Sequence, residues 1–486
     1  MKTARATALA ARIAAAVFLC SVFVSLAASL FEPASAAVRY VNKNTLCSDP
    51  AGAPYCSIAA AVARASPGDT VAVAPGTYSG QVRISRSGEP GAPIRIVASP
   101  GAIVTGGWRG FDLSGASWVT VDGFTVERTL NEGFRCTLCS NVTLSNVKVS
   151  RSTGSSILIS SSSNIVLSNV AIDGSLNTGI DITGSSNISV LGGYVTRSGL
   201  RSSGKTRNGI RFSSTSSSLV DGTQVHDNSD IGIYIINGSH GIRIKRVSAH
   251  HNARGYQRIA AGIEARSSGN IVESCKSYQN EDSGINMRWG GSDGLMVNNA
   301  AYLNGDHGID VLESPRPKII NNSVYKNTTS GINIEGDSPD GYVYNNISVD
   351  NALSTWRKKG EINISNSSVT KGANYNIVSA CCGGVLYVYK GTTYYSLATL
   401  RVAHPGVETN GIQALPGWVS ASGSNFHLTA GSKAIDSAKS DAISTSEISR
   451  DAEHKSRCND SATSNTGSGA ISYMDRGAYE YTSSCP

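Results

Sequence analysis

A glycine followed by an apolar residue marks the chain at Gly133, Gly179, Gly209, Gly232, Gly262, Gly284, Gly308 and Gly331, where it opens GFRC, GIDI, GIRF, GIYI, GIEA, GINM, GIDV and GINI. The last three steps are 22, 24 and 23 residues, two earlier ones are 30, and the first, 46, fits two units. Each unit holds three short strands, as in GIDVLESPRPKIINNSVYKN, with no helical pattern between them. A unit this short cannot bury its own apolar face, so units must stack into one continuous core. Three strands per coil of ~23 residues fit an all-β right-handed parallel β-helix, a solenoid whose coils lie about 4.8 Å apart.

Asparagines follow the same period: Asn146 and Asn169, then the pairs Asn298/Asn299, Asn321/Asn322 and Asn345/Asn346. Stacked one coil apart, their amides can hydrogen-bond along the axis, which makes them structural and not ligands. Both ends read as caps. SIAAAVARA, with Ser57 as N-cap, is a short helix placed to cover the first coil. Past about Lys390 the repeat fades, and FHLTAGSKAIDSA and DRGAYEY read as a closing segment. The expected division is a leader over 1–36, the solenoid over 37–389 and a C-terminal capping segment over 390–486.

The leader reading rests on Lys2, Arg5 and Arg12 ahead of an apolar run from Ile13 to Leu30, with Ala-Ser-Ala at 34–36 suiting a signal peptidase. The mature chain is expected to start near Ala37, to be secreted, and to carry no membrane span. Of the formal charge of +7, the three basic leader residues and Glu32 account for +2, leaving +5. That mild excess suits an anionic ligand. Of ten cysteines, Cys20 leaves with the leader. Cys47/Cys56 and Cys458/Cys485 bracket short loops and read as disulfides, and the odd remainder leaves at least one free thiol. Cys136 and Cys139 form a CxxC with no second copy, so no zinc site is expected there.

Three connections are six to eight residues longer than the rest: RSGLRSSGKTR before Gly209, NARGYQRIA before Gly262 and ALSTWRKK before Gly360. All precede the same strand, so all should rise on one side of the solenoid, and insertions on one face usually mark a binding face. All are basic, with Arg197, Arg201, Lys205, Arg207, Arg254, Arg258, Arg357, Lys358 and Lys359. They read as a wall for a long anionic polymer, with Tyr256 and Trp356 as sugar-stacking platforms. Beside them the outward column of the Gly-Ile strand carries Arg135, Asp181, Arg211, Tyr234, Glu264, Asn286, Asp310 and Asn333, and the next outward position adds Arg266, Arg288 and Glu335. Arg211, Tyr234, Arg254, Tyr256, Arg258, Trp356 and Lys358 are therefore the candidate substrate-binding residues. Asp282 and Asp306, each two residues before its glycine, fall in neighbouring coils, a spacing into which a Ca²⁺ fits.

The stretch GIEARSSGNIVESCKSYQNEDSGINMR resembles a coil of secreted β-helix polysaccharide lyases, nearest the family-9 pectate lyase type. In that family, aspartates in a related N-S-D-D-G-x-D pattern bind calcium and a lysine removes the proton. Asp282 matches the first aspartate, while Ser283 and Asn286 replace the other two. One coil later, Asp306, His307 and Asp310 match with only the middle aspartate changed. No lysine aligns with the family's base.

The resemblance implies calcium-assisted β-elimination on a uronate polymer of pectate or alginate type. The expected metal ligands are Glu264, Asp282, Asp306 and Asp310; Arg266 and Arg288 clamp carboxylates; and His307 is the base near neutral pH. A glycoside hydrolase using Glu264 and Asp310, a mannuronan C5-epimerase and a noncatalytic glycan-binding solenoid are the alternatives. The DPHD signature of such epimerases is missing. An acidic polysaccharide is the expected partner, with no nucleic acid or membrane partner and a monomeric chain.

Overall fold

The structure, a computed structural model, describes residues 36–52, 54–199, 207–254, 260–354, 359–368, 370–442 and 448–481. The leader and the expected stacking or basic residues Tyr256, Arg258, Trp356 and Lys358 lie outside the described residues. Among the described residues no helix is long and apolar enough to cross a membrane.

Three sheets of fourteen strands each wind about one apolar core. The Gly-Ile sheet runs from Val82–Arg83 to Thr392–Tyr394, the second sheet from Val38–Val41 to Gly372–Asn374, and the third from Gly76–Ser79 to Ile412–Gln413. Pairing is parallel and steps one coil at a time, as in Ile285↔Ile309 and Ile309↔Ile332, until the last strand of the Gly-Ile sheet, Thr392–Tyr394, turns back antiparallel on Tyr387–Tyr389. Inward positions hold Ile, Val, Leu and Phe, almost all fully buried. The predicted all-β parallel β-helix is the fold.

Two buried asparagine ladders run along the core. In one, Nδ2 of Asn228, Asn252, Asn280, Asn304 and Asn327 donates in turn to Oδ1 of the next coil's asparagine, ending at Asn351, over 2.8 to 3.0 Å. The other runs Asn299, Asn322, Asn346 and Asn376. Donors point toward the C-terminus throughout, so the last rung needs a pure acceptor. A buried glutamate supplies it in each case. Asn351 donates its N–H and Nδ2 to the two oxygens of Glu361 at 3.0 and 2.6 Å. Asn376 does the same to Glu408 at 3.2 and 2.5 Å.

The first ladder, together with the backbone oxygen of the next coil, accounts for the repeated glycine from Gly209 onward. A Cβ on Gly262, Gly284 or Gly308 would lie 2.6 to 2.7 Å from Nδ2 of Asn280, Asn304 or Asn327. The second residue of each expected pair joins the second buried ladder, and among the first residues Asn345 Nδ2 donates to Asn321 Oδ1 at 3.1 Å. The first, at Asn298, Asn321 and Asn345, takes a positive φ and bonds the C-terminal segment, through Arg450 O, Asp475 O and Lys439 O.

Ser57 caps helix Ile58–Ala63, which buries Ile58, Ala61 and Val62 on the first coils. At the other end the expected closing segment divides its work. Helix Leu397–Ala403 inserts Leu397 and Leu400 into the core beside Tyr387. The remainder lies along the flank: Phe426 packs on Tyr302 and Tyr325, and Met474 and Ile448 pack on Leu295, Val297 and Ile320. Thus the segment is a buttress as well as a cap. Cys47 and Cys56 are bonded, and Cys458 is disulfide-bonded, its expected partner Cys485 lying outside the described residues. Cys136 and Cys139, which carried no disulfide expectation, are joined to each other. Cys275, Cys381 and Cys382 are free.

On the third sheet's outer face His250 is stacked between His226 and Tyr278, 4.7 Å from each ring. Burial, then His226 and His251, push its pKa down to about 4. The native state therefore binds this proton less well than the unfolded chain. Stability is complete above about pH 6.5 and declines as pH falls toward 4. Melting temperatures at pH 7 and pH 4.5 should differ less in His250→Phe than in the parent; an equal difference would remove His250 from the acid response.

Candidate functional site

Register fixes the site's frame. Asp181, Arg211, Tyr234, Glu264, Asn286, Asp310, Asn333 and Asn363 succeed one another, one per coil, in one outward column. Arg135 leads it, with Leu158 intervening. An outward column should be wet, yet Glu264, Asn286 and Asn333 are 0% exposed and Asp310 is 6% exposed. The middle coils are therefore a covered, polar site.

Its first half is an arginine cluster. Glu264 accepts from Arg266 Nε at 2.5 Å on one oxygen and from an Arg288 terminal nitrogen at 2.8 Å on the other. The same nitrogen lies 3.3 Å from Asp282 Oδ2. Trp289 stacks under both guanidiniums, 4.2 Å from Arg266 and 5.0 Å from Arg288, and Tyr234 lies 5.1 Å from Arg266. Each oxygen of Glu264, an expected metal ligand, accepts a guanidinium N–H here, which orients the two arginines.

The second half is a carboxylate cluster with one imidazole. Asp306 N donates to Asp282 O at 3.2 Å, which places the two aspartates in adjacent coils as expected. Burial, reinforced by Asp306, pushes the Asp282 pKa up to about 7, with Arg288 opposing. Burial also raises Asp310, with His307 opposing. Asn333 Nδ2 holds Asp310 Oδ1 at 2.7 Å and is itself bonded by Asn363 at 2.5 Å. His307, 1% exposed, has Nδ1 2.8 Å from Ser330 Oγ and Nε2 3.5 Å from Asp306 Oδ1. One ligand atom each of His307, Asp310 and Glu335 lie within 4.8 Å of one another. Lys359 is ion-paired to Glu335.

Sequence reasoning put Glu335 in the column but not among the ligands, and named Lys359 only as a wall residue. It gave no role to Trp289, and it placed Asn286 in the column without foreseeing that the buried amide nitrogen and oxygen both lack a hydrogen-bond partner. The tryptophan beside Arg288 was the one available signal. Of the expected substrate-binding residues, Arg211 is paired with Asp181 at 2.8 and 3.0 Å, Tyr234 faces Arg266, and Arg254 is exposed at the root of its loop.

The donor set suits a hard divalent cation. Among the described residues the ligand atoms that come within 4.8 Å of one another are those of His307, Asp310 and Glu335, while Asp282 and Asp306 add half-buried carboxylates in the adjoining coils outside that group. Asp282 and Asp310 have raised proton affinity, and the Asn286 amide, in register with Asp310, stands unpartnered.

A winding parallel solenoid defines a class of fold, and comparison places the chain in it. The chain belongs to the right-handed beta helix region family, matched over residues 132–257 and 236–399. Among solved structures it is similar to pectate lyase Pel9A, at 17% identity over 92% of this chain and 96% of that one, with a TM-score of 0.41. It is also similar to the A-module of the Azotobacter vinelandii mannuronan C-5 epimerase, at 13% identity over 72% and 89%, with a TM-score of 0.43. An alginate lyase from Paenibacillus sp. shows 14% identity over 62% and 98%, with a TM-score of 0.43. At these identities the likeness is one of fold. No curated protein matches the sequence.

Proposed function

We propose that the chain is an exported polysaccharide lyase that cleaves a uronate-containing polymer by β-elimination. The observation that carries the reading is the covered column in which two guanidiniums, three aspartates and one imidazole meet within about three coils. Elimination removes the C5 proton, forms the C4–C5 double bond and expels the glycosidic oxygen from C4. The uronate carboxylate opposes proton loss while it stays negative, so charge must be supplied to it.

Arg266 and Arg288, pre-oriented by Glu264 and Trp289, bind that carboxylate. His307 takes the proton at Nε2, with Nδ1–H donating to Ser330 Oγ to fix the tautomer. Lys359 beside Glu335 is the ammonium available to the departing oxygen. Asp282, Asp306 and Asp310, with Asn286, would hold a Ca²⁺, which when bound supplies further charge to the carboxylate and the developing enolate. The sealing of Glu264 by two arginines argues against a hydrolase that needs Glu264 and Asp310 as its carboxyl pair.

The protein should be incubated with polygalacturonate, alginate and glycosaminoglycans, with calcium or with chelator. The expected result is ultraviolet absorbance from unsaturated uronate ends on one of them, falling about 100-fold in chelator and returning with calcium. Reducing ends without absorbance, a changed uronate composition without cleavage, or retention without any reaction would each replace this reading, by a hydrolase, an epimerase or a binder in that order.

A further inference from the structure

A second cationic feature lies four to seven coils before the carboxylate cluster. The residue after each third-sheet strand takes a positive φ, and in successive coils it is Arg128, Arg151, Gly174 and Arg197. The row of arginines is therefore interrupted once, by a glycine. A Cβ at Gly174 would meet nothing within 4 Å, so the missing side chain leaves open space between Arg151 and Arg197. The result is a groove of about 750 Å³, with Lys148 on its floor strand and Leu176 at its far end. Arg197 is held by Asp173, Nε to Oδ1 at 2.6 Å. Arg128, Lys148 and Arg151 are exposed and make no ion pair with any described carboxylate. Glu127 and Asp173 also line the groove, so its four basic side chains leave a net excess of positive charge, which suits an anion as occupant.

The groove's position says which anion. Leu176 adjoins Asn177, and Arg207 Nε reaches Leu176 O at 3.3 Å, so a second concavity, lined by Asp181, Arg211 and Tyr234, begins next to the end of the groove. Tyr234 in turn lies against Arg266 of the arginine cluster. These features are spread along the solenoid axis over five coils, roughly 24 Å at about 4.8 Å per coil. A coil and one pyranose residue of an extended uronan are of similar length. Cations set one coil apart can therefore meet successive carboxylates of a single chain, which duplex nucleic acid, with its wider and bulkier backbone, does not match.

We infer that the Arg128–Lys148–Arg151 groove is a distal binding site for the acidic polysaccharide, holding a part of the chain several sugars from the bond that reacts. This rests on the proposed lyase reading only for the identity of the reacting end. The site makes long chains better substrates than short ones, by raising affinity and not turnover.

The test compares the full protein with the triple variant Arg128→Ala, Lys148→Ala and Arg151→Ala, and with Gly174→Asn, which fills the notch and keeps every charge. Arg128, Lys148 and Arg151 are exposed and a Cβ at the half-buried Gly174 meets nothing within 4 Å, so unchanged melting temperatures check the fold. In native gels cast with polygalacturonate or alginate, both variants should lose most of the parent's retardation. KM for polymer should rise about tenfold at constant kcat, with uronate trimers turned over as by the parent. Unchanged retardation and KM overturn the inference, as does equal loss of retardation in gels containing duplex DNA, which would make the patch a general polyanion surface. Loss of retardation by variants of a protein that cleaves no uronan would keep the groove and discard the lyase reading.

Discussion

Asp310→Asn should lower kcat/KM by about 10³-fold or more while the protein melts no lower than the parent. The magnitude is what the loss of one preorganised charge in a covered site costs, compounded by loss of a cation ligand. Folding is spared because Asn333 Nδ2 donates to Asp310 Oδ1 at 2.7 Å, and an amide oxygen accepts that bond equally well. Burial of Asp310 raises its pKa, so its charge opposes folding, and the neutral amide relieves that cost. In chelator the variant should therefore be the more stable protein, the pattern of a residue kept for chemistry at the expense of stability. Activity within fivefold of the parent, at saturating calcium, would remove Asp310 from the reaction. Arg288→Lys is the companion test of the guanidinium side, since a lysine cannot reach Glu264 and Asp282 with the same planar geometry.

The fold was legible because the solenoid writes its period into the chain. Gly262, Gly284 and Gly308 recur at coil length, and the alternation of inward Ile and Val says which face each residue takes. What the glycines are for was not legible. Their function, clearance for Asn280, Asn304 and Asn327, depends on a partner from the next coil. The buttress was hidden for the same reason. Strands such as Leu295–Val297 and Ala300–Tyr302 are apolar on both faces, which signals cover over the outer face but does not say what provides it.

The column of the site could be read by counting, since equivalent positions in successive coils must align. That placed Glu264, Asp282, Asp306, His307 and Asp310 together. Counting says nothing of where a long side chain ends. Glu264 reaches sideways to two arginines, and Lys359 comes in from a connection outside the repeat to meet Glu335. Both contacts, the arginine pairing of Glu264 and the arrival of Lys359 at Glu335, depend on side-chain reach, which the positions of Cα atoms do not give.

Asn304→Ala should destabilise the protein by about 2–4 kcal/mol, whereas Asn169→Ala, which breaks a rung of the same chemistry, should cost less than about 0.5 kcal/mol. Both residues stack on an asparagine one coil away, at 2.9 Å in each case. They differ in burial: Asn304 is 1% exposed, and Asn169 stands on the surface, where water replaces the lost partner. Removing the Asn304 amide takes the acceptor from the Asn280 N–H and Nδ2 at once. It also empties space that Gly284 was kept small to provide. Asn280 Nδ2 can fall back on Ala249 O, but the Asn280 N–H has no alternative acceptor and is sealed from water. An orphaned buried N–H is the dominant cost, and it should appear in denaturant melts as a lower midpoint at unchanged slope. Glu361→Ala should cost a similar amount, because Asn351 N–H and Nδ2 lose their terminal acceptor. Equal costs for Asn169 and Asn304 would mean that the buried ladder contributes nothing beyond surface stacking, and that the repeated glycines serve some other contact.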